Sequence, residues 1–103
     1  MVVGVCRLEL LIHESQSLKE KRQVLRRIVD RTRNKFNLAL AEVGANDLWQ
    51  RSQLGFAVVG NDRRHVASML ETIIGFIESL YVAEVVGRDV EVVSYGAELG
   101  GKL

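Results

Sequence analysis

Proline is absent from the 103 residues, and cysteine occurs only once, as Cys6. Without proline the chain has no prolyl cis–trans switch and no stiff proline-rich linker. A single thiol excludes an internal disulfide and fits a reducing compartment, so we expect a cytoplasmic protein. The sequence must therefore rely on regular secondary structure and one hydrophobic core, which a domain of this length can build.

Long apolar runs and metal-ligand patterns are also missing. No stretch reaches the roughly 18 apolar residues of a membrane span. The most apolar segment, residues 2–12, is interrupted by Arg7 and Glu9, which favours a strand over a signal peptide. The two histidines, His13 and His65, have no second His or Cys at ligand spacing. We expect no metal, no cofactor and no membrane association.

Sequence motifs of catalysis are missing as well. The chain contains neither a nucleophile elbow nor a Gly-rich phosphate loop. Aromatic residues make up only 6%, and small or aliphatic residues stand where an RNA-recognition motif would place aromatic side chains on its central strands. We expect a protein that is not an enzyme. An enzyme whose site forms at the seam of a dimer is a weaker alternative.

Hydropathy periodicity predicts six elements in the order β-α-β-β-α-β. Alternating residues predict strands, and apolar residues at helical spacing predict the helices. The predicted strands are residues 2–12, 36–43, 52–59 and 84–95, and the helices are residues 17–35 and the segment that follows Asp62. Ser17 and Glu20 have capping-box spacing, in which the Glu20 carboxylate would accept from the Ser17 amide.

This order predicts an α+β, ferredoxin-like βαββαβ two-layer sandwich with a four-stranded antiparallel sheet. Right-handed connections place the first and third strands in the centre of the sheet. We expect residues 1–96 to form this domain and residues 97–103 to form a Gly-rich C-terminal tail.

Positive charge is concentrated in the first predicted helix. Eight of the 14 Lys and Arg residues lie between Ser17 and Lys35, against two acidic residues, so this segment carries +6 while the whole chain carries +1. We predict that its cations contact RNA phosphates. The predicted RNA-contacting residues are Lys19, Arg22, Arg26, Arg27, Arg31 and Arg33. The alternative is a solvated face that balances acidic residues such as Glu71, Glu78 and Glu84.

The face of the sheet that the helices leave uncovered is predicted to carry small and apolar side chains, which is typical of an interface. Its residues are Val3, Val5, Ala39, Ala41, Gly55, Ala57 and Val59. We expect a homodimer that forms through this face. Folding of the C-terminal segment across the face is the alternative. A protein-interaction module that uses this face, with no nucleic-acid role, is the competing function.

Two residues near the predicted turn after the second strand have more than one possible role. Trp49 can stack a base or fill a partner's pocket, but we expect it to close the end of a small core. Glu42 is expected to pair with Arg51 or with the cationic helix.

Three segments of the chain resemble the YlxP-like bacterial family, a domain of unknown function. They are residues 17–22 (SLKEKR), 36–43 (FNLALAEV) and 47–50 (DLWQ). The resemblance covers essentially the whole chain and implies a ferredoxin-like βαββαβ fold, with no catalytic residues to carry over. Family members often lie beside genes for ribosome maturation and translation initiation. By association, the resemblance implies RNA or a ribosomal particle as a partner.

Overall fold

The computed structural model describes residues 1–96. Its elements are β1 (Val2–Leu11), α1 (Leu18–Lys35), β2 (Ala39–Gly44), β3 (Arg51–Gly60), α2 (Arg63–Ser79) and β4 (Glu84–Ser94). This order confirms the predicted ferredoxin-like α+β fold. The tail predicted at residues 97–103 lies outside the described residues.

The four strands form one antiparallel sheet in the order β2-β3-β1-β4, so β1 and β3 are central, as predicted. In the middle of the sheet Cys6 is opposite Phe56, which is opposite Leu40 on β2. The pairing of β1 with β4 shifts register after Glu9, and Val86 is the extra residue of the resulting bulge.

Both helices begin at the side chains that the sequence indicates. The Ser17 hydroxyl accepts a hydrogen bond from the Glu20 amide at 3.1 Å, and the Asp62 carboxylate accepts one from the His65 amide at 2.9 Å. The predicted return bond to Ser17 is wrong. The Glu20 carboxylate instead accepts from the amide of Gln16 at 2.7 Å, one residue earlier in the chain.

The hydrophobic core lies between the two helices and one face of the sheet. Helix α2 packs on β1, β3 and β4, and α1 packs on β2 and α2. Cys6 is buried on this face, and the loss of solvent raises the pKa of its thiol to about 11, so the thiol stays protonated at neutral pH. As far as residues 1–96 are concerned, neither helix combines the length and apolar character needed to cross a membrane.

Candidate nucleic-acid interface

The cations of α1 fall into two groups on opposite flanks of its buried stripe. The buried residues of the helix are Lys21, Leu25, Ile28 and Thr32. One flank of this stripe carries Lys19, Arg22, Arg26 and Arg33, which we call the basic flank. At about 100° per residue, Arg27 and Arg31 lie on the other flank, roughly 130° away around the helix axis. The six predicted RNA-contacting residues therefore do not form one continuous stripe.

The basic flank faces the edge of the sheet at β2. The Arg33 guanidinium donates a hydrogen bond to the carbonyl of Leu40 at 2.6 Å. Since Leu40 belongs to β2, this bond shows that the basic flank lies on the side of α1 nearest that strand. Arg33 is thus partly engaged by the protein itself, although its side chain stays exposed.

Lys19, Arg22 and Arg26 are exposed, and none of them forms a salt bridge with a carboxylate of residues 1–96. Two of the acidic residues considered as balancing charges are paired elsewhere. Glu71 is paired with Arg88, and Glu84 lies 2.7 Å from the His13 ring. The described carboxylates therefore leave these three cations available to an anionic partner.

Arg27 borders a different feature, a groove of about 740 Å³ between α1, the turn after β1 and the segment that joins α2 to β4. Four carboxylates line this groove: Glu14, Glu20, Glu78 and Glu84. A phosphate placed at Arg27 would meet these negative charges, so this flank suits RNA less well than the basic flank. Among residues 1–96, no three His, Cys, Asp or Glu side chains are grouped closely enough to hold a metal ion.

Lys21, one of the eight cations between Ser17 and Lys35 but not one of the predicted RNA-contacting residues, is buried, with 1% of its surface exposed. Its ammonium group donates to the carbonyl of Ala45 at 2.5 Å and lies 2.9 Å from the Glu42 carboxylate. That carboxylate also accepts from the Ser52 hydroxyl at 2.7 Å and from the Asn46 amide at 3.3 Å. We call these five residues the Lys21 cluster. Of the two partners expected for Glu42, the structure selects the cationic helix.

The Lys21 cluster holds one end of the loop between β2 and β3, residues 45–50, and Gln50 holds the other end. The Gln50 side-chain amide donates to the carbonyls of His13 and Ser15, at 3.3 and 3.2 Å, and the Gln50 carbonyl accepts from the Ile12 amide at 2.8 Å. Ala45 has a φ of 57°, a left-handed conformation that is uncommon for a residue with a Cβ. The loop is therefore fastened at both ends.

The middle of this loop exposes two large apolar side chains. Leu48 is 47% exposed and Trp49 is 55% exposed. The prediction that Trp49 closes the end of the core is wrong, because the loop turns the indole outward. An exposed tryptophan on a well-fixed loop is a common feature of binding surfaces.

The predicted interface residues lie on the sheet face opposite the helices. Cross-strand pairs on this face include Val3 with Val59 and Val5 with Ala57, and Val59 is 62% exposed. Farther along β1 the face becomes polar, where Arg7 forms a salt bridge with Asp89 at 2.5 Å. The structure thus brings Val3, Val5, Ala39, Ala57 and Val59 together in one half of the face, which we call the apolar half although Glu91 is opposite Val5 there. The other two predicted residues, Ala41 and Gly55, lie in the same cross-strand row as Arg7.

Three comparisons place the chain among known proteins. Its backbone resembles that of a "De novo designed protein Foldit4" with a TM-score of 0.51 over 91% of this chain and 98% of that chain, at 17% identity, a likeness of fold alone. It is 41% identical over 78 residues to the "Uncharacterized protein YlxP" of Bacillus subtilis (strain 168), which covers 76% of this chain and 85% of that protein. The family model described as "Protein of unknown function (DUF503)" matches residues 3–90. The chain therefore belongs to the DUF503 family, in agreement with the YlxP-like resemblance of its sequence.

Proposed function

We propose that this protein is a non-enzymatic, cytoplasmic RNA-binding accessory factor that contacts phosphates through the basic flank of α1. The observation that carries the proposal is the availability of Lys19, Arg22 and Arg26. These cations are exposed, lie on one side of one helix and form no salt bridge with the described carboxylates. Lys and Arg side chains in this arrangement are the usual contacts to a phosphate backbone.

A ribosomal particle is the first partner to test, because the YlxP-like resemblance implies an association with ribosome maturation and translation. The whole chain carries a net charge of only +1, so binding must depend on the local charge of the basic flank. If about four phosphates are engaged, log K for single-stranded RNA should fall with log[salt] at a slope of roughly −3.

Co-sedimentation with ribosomal subunits, at low and then at high salt, tests the proposal directly. We expect binding at low salt that is lost at high salt. Charge reversal of two residues of the basic flank, Arg22→Glu with Arg26→Glu, should abolish co-sedimentation without unfolding the protein, since both side chains are exposed. No binding at low salt, or binding that salt does not weaken, would contradict the proposal.

The opposite flank of α1 supplies a matched control. Arg27→Glu with Arg31→Glu changes the net charge by the same amount on the same helix, but on the flank where Arg27 lines the acidic groove. We expect this variant to keep most of the binding. An equal loss in both double variants would mean that total charge, rather than the basic flank, decides the interaction.

The second candidate function is a homodimeric protein-interaction module. The supporting observation is the apolar half of the open sheet face, where Val59 is 62% and Val5 is 38% exposed. Surfaces of this kind usually lie in contact with another protein, and small residues such as Ala57 allow two sheets to approach closely. The second copy of the chain is the simplest partner.

Analytical ultracentrifugation of the Ala57→Lys variant tests this candidate. We expect a dimer for the unmodified chain and a monomer for the variant, because a lysine in the apolar half would be desolvated without a partner. Ser68→Lys adds the same charge on the exposed side of α2 and should leave the dimer intact. A monomeric unmodified chain at micromolar concentration would exclude the candidate.

A further inference from the structure

The loop of residues 45–50 combines exposed apolar side chains with ends that are held by hydrogen bonds. Its middle exposes two adjacent large apolar side chains, Leu48 and Trp49, and contiguous exposed apolar surface can mark a binding site. Its ends are fastened by side-chain hydrogen bonds from Lys21 and Gln50. The backbone that carries the indole is therefore held at both ends of the loop.

Fixing the loop in this way is energetically demanding. A lysine is buried to 1% exposure, and Ala45 is held at a φ of 57°. Buried charges and left-handed backbone conformations both carry a free-energy cost, and they concentrate where a protein positions a functional group. The group that the loop presents to solvent is Trp49.

The surroundings of the loop indicate the chemistry of its partner. The bond from Lys21 to the Ala45 carbonyl places the loop against the first turn of α1, the helix that carries the basic flank. Asp47 is the only acidic residue within the loop sequence, and Glu42, which accepts a hydrogen bond from Asn46, is paired with Lys21. An exposed indole on a loop that contacts the helix carrying the unpaired cations of the basic flank matches the requirements of single-stranded nucleic acid, in which bases stack on aromatic rings and phosphates contact Lys and Arg.

We infer that Trp49 is a stacking platform for an unpaired base of single-stranded RNA whose phosphates follow the basic flank. This inference rests on the proposed function and assigns the base contact that the open sheet face, with its small and aliphatic residues, does not provide. Stacking tolerates any base, so the platform adds affinity without reading a sequence. The Lys21 cluster and Gln50 act as positioning residues for the indole.

Trp49 is the only tryptophan of the chain, so its fluorescence reports directly on this contact. The test titrates the protein at low salt with a 12-nucleotide oligouridine and with a 12-unit abasic sugar-phosphate of equal charge. We expect oligouridine to quench the indole emission and the abasic oligomer to leave it nearly unchanged. Affinities for both are measured separately by anisotropy of a labelled oligomer.

Trp49→Ala should weaken oligouridine binding roughly 5- to 150-fold, the range that alanine substitution of a stacking aromatic gives, and leave abasic binding unchanged. Trp49→Phe should retain most of the affinity. The matched aromatic control is Tyr81→Ala. Tyr81 is 90% exposed but borders the acidic groove, so its removal should have no effect on either oligomer. Circular dichroism checks that each variant is folded.

The outcomes separate this inference from the proposed function. If oligouridine binds the Trp49→Ala variant as tightly as the unmodified chain, the stacking contact is refuted while RNA binding by the basic flank stands. Equal weakening of oligouridine and abasic binding would also refute it, since it would show that Trp49 supports the structure of the flank. If neither oligomer binds the unmodified chain at low salt, both ideas fail.

Discussion

Replacing Lys21 by methionine should destabilise the protein by about 3 kcal/mol, the lower end of the range for breaking a buried ion pair. Methionine fills the space of the lysine stem but leaves the Ala45 carbonyl without its donor, which alone costs about 1–3 kcal/mol. The orphaned Glu42 carboxylate adds less, because it keeps its bond from Ser52 and its side chain is 22% exposed.

The reciprocal change, Glu42→Gln, should cost more than Lys21→Met, roughly 4 kcal/mol. It leaves an ammonium group that is only 1% exposed without a countercharge. The double variant should cost little more than either single change, because each single change already removes the ion pair. The expected coupling energy between the two sites is therefore at least about 2 kcal/mol.

Urea unfolding followed by far-UV circular dichroism measures these free energies of unfolding. Lys19→Met is the matched control, since it removes the same charge from the same helical turn at an exposed position, and it should stay within about 0.5 kcal/mol of the unmodified chain. The reasoning would be refuted if Lys21→Met cost less than about 1 kcal/mol, or if the two single effects simply added in the double variant.

Three further predictions concern the core and the helix ends. Cys6→Ala should reduce the loss of stability at high pH. Burial raises the pKa of the Cys6 thiol to about 11, so the thiol of the unfolded chain loses its proton first, and the free energy of unfolding falls by about 2–3 kcal/mol between pH 9 and 11. Urea titrations of the unmodified chain and the variant across this pH range measure the difference. Gly4→Ala should lower stability by about 1–3 kcal/mol, since the Cβ of the alanine would lie 2.6 Å from the Val66 side chain. Gly75→Ala, in open space on α2, should raise stability by about 0.5–1 kcal/mol. Thermal unfolding distinguishes the expected decrease from the expected increase. Ser17→Ala should cost about 1 kcal/mol by loss of the α1 cap, and Ser17→Thr should restore most of it in the same assay.

The order of the elements could be predicted from the sequence because local rules agree with the fold at nearly every element. The alternation of residues in β1 and β3 and the caps at Ser17 and Asp62 each depend on neighbours within a few positions. The bond from the Gln16 amide to the Glu20 carboxylate differs from the capping-box expectation by a single residue, because the chain before the cap determines which amide is within reach.

The burial of Lys21 was not predicted, although the sequence contains a signal for it. Lys21 lies three residues after Leu18 and four residues before Leu25, which is the spacing of the buried stripe rather than of the basic flank. Glu42, a charged residue in a short apolar strand, is the second half of the signal. Neither residue identifies the other, because their contact depends on how α1 lies across β2.

The surroundings of the two groups of cations and the exposure of Trp49 could not be predicted for a similar reason. Helical spacing separates Arg27 from Arg26, but only the packed structure shows that Arg27 borders an acidic groove. A loop has no periodicity that distinguishes buried from exposed positions. For Trp49 the sequence therefore predicts the commonest role of a large aromatic residue in a small domain, which is to close the end of the core.

The hydrogen bonds that hold residues 45–50 also affect the susceptibility of this loop to proteolysis. Leu48 and Trp49 are preferred cleavage sites of chymotrypsin-like enzymes, which require a substrate segment to be extended in their active site. Residues on α1, in the turn after β1 and on β3 all hold this loop or its Glu42 anchor, so full extension of residues 45–50 requires these hydrogen bonds to break. An exposed pair of side chains that would otherwise be a weak point should thus resist cleavage as long as these bonds hold.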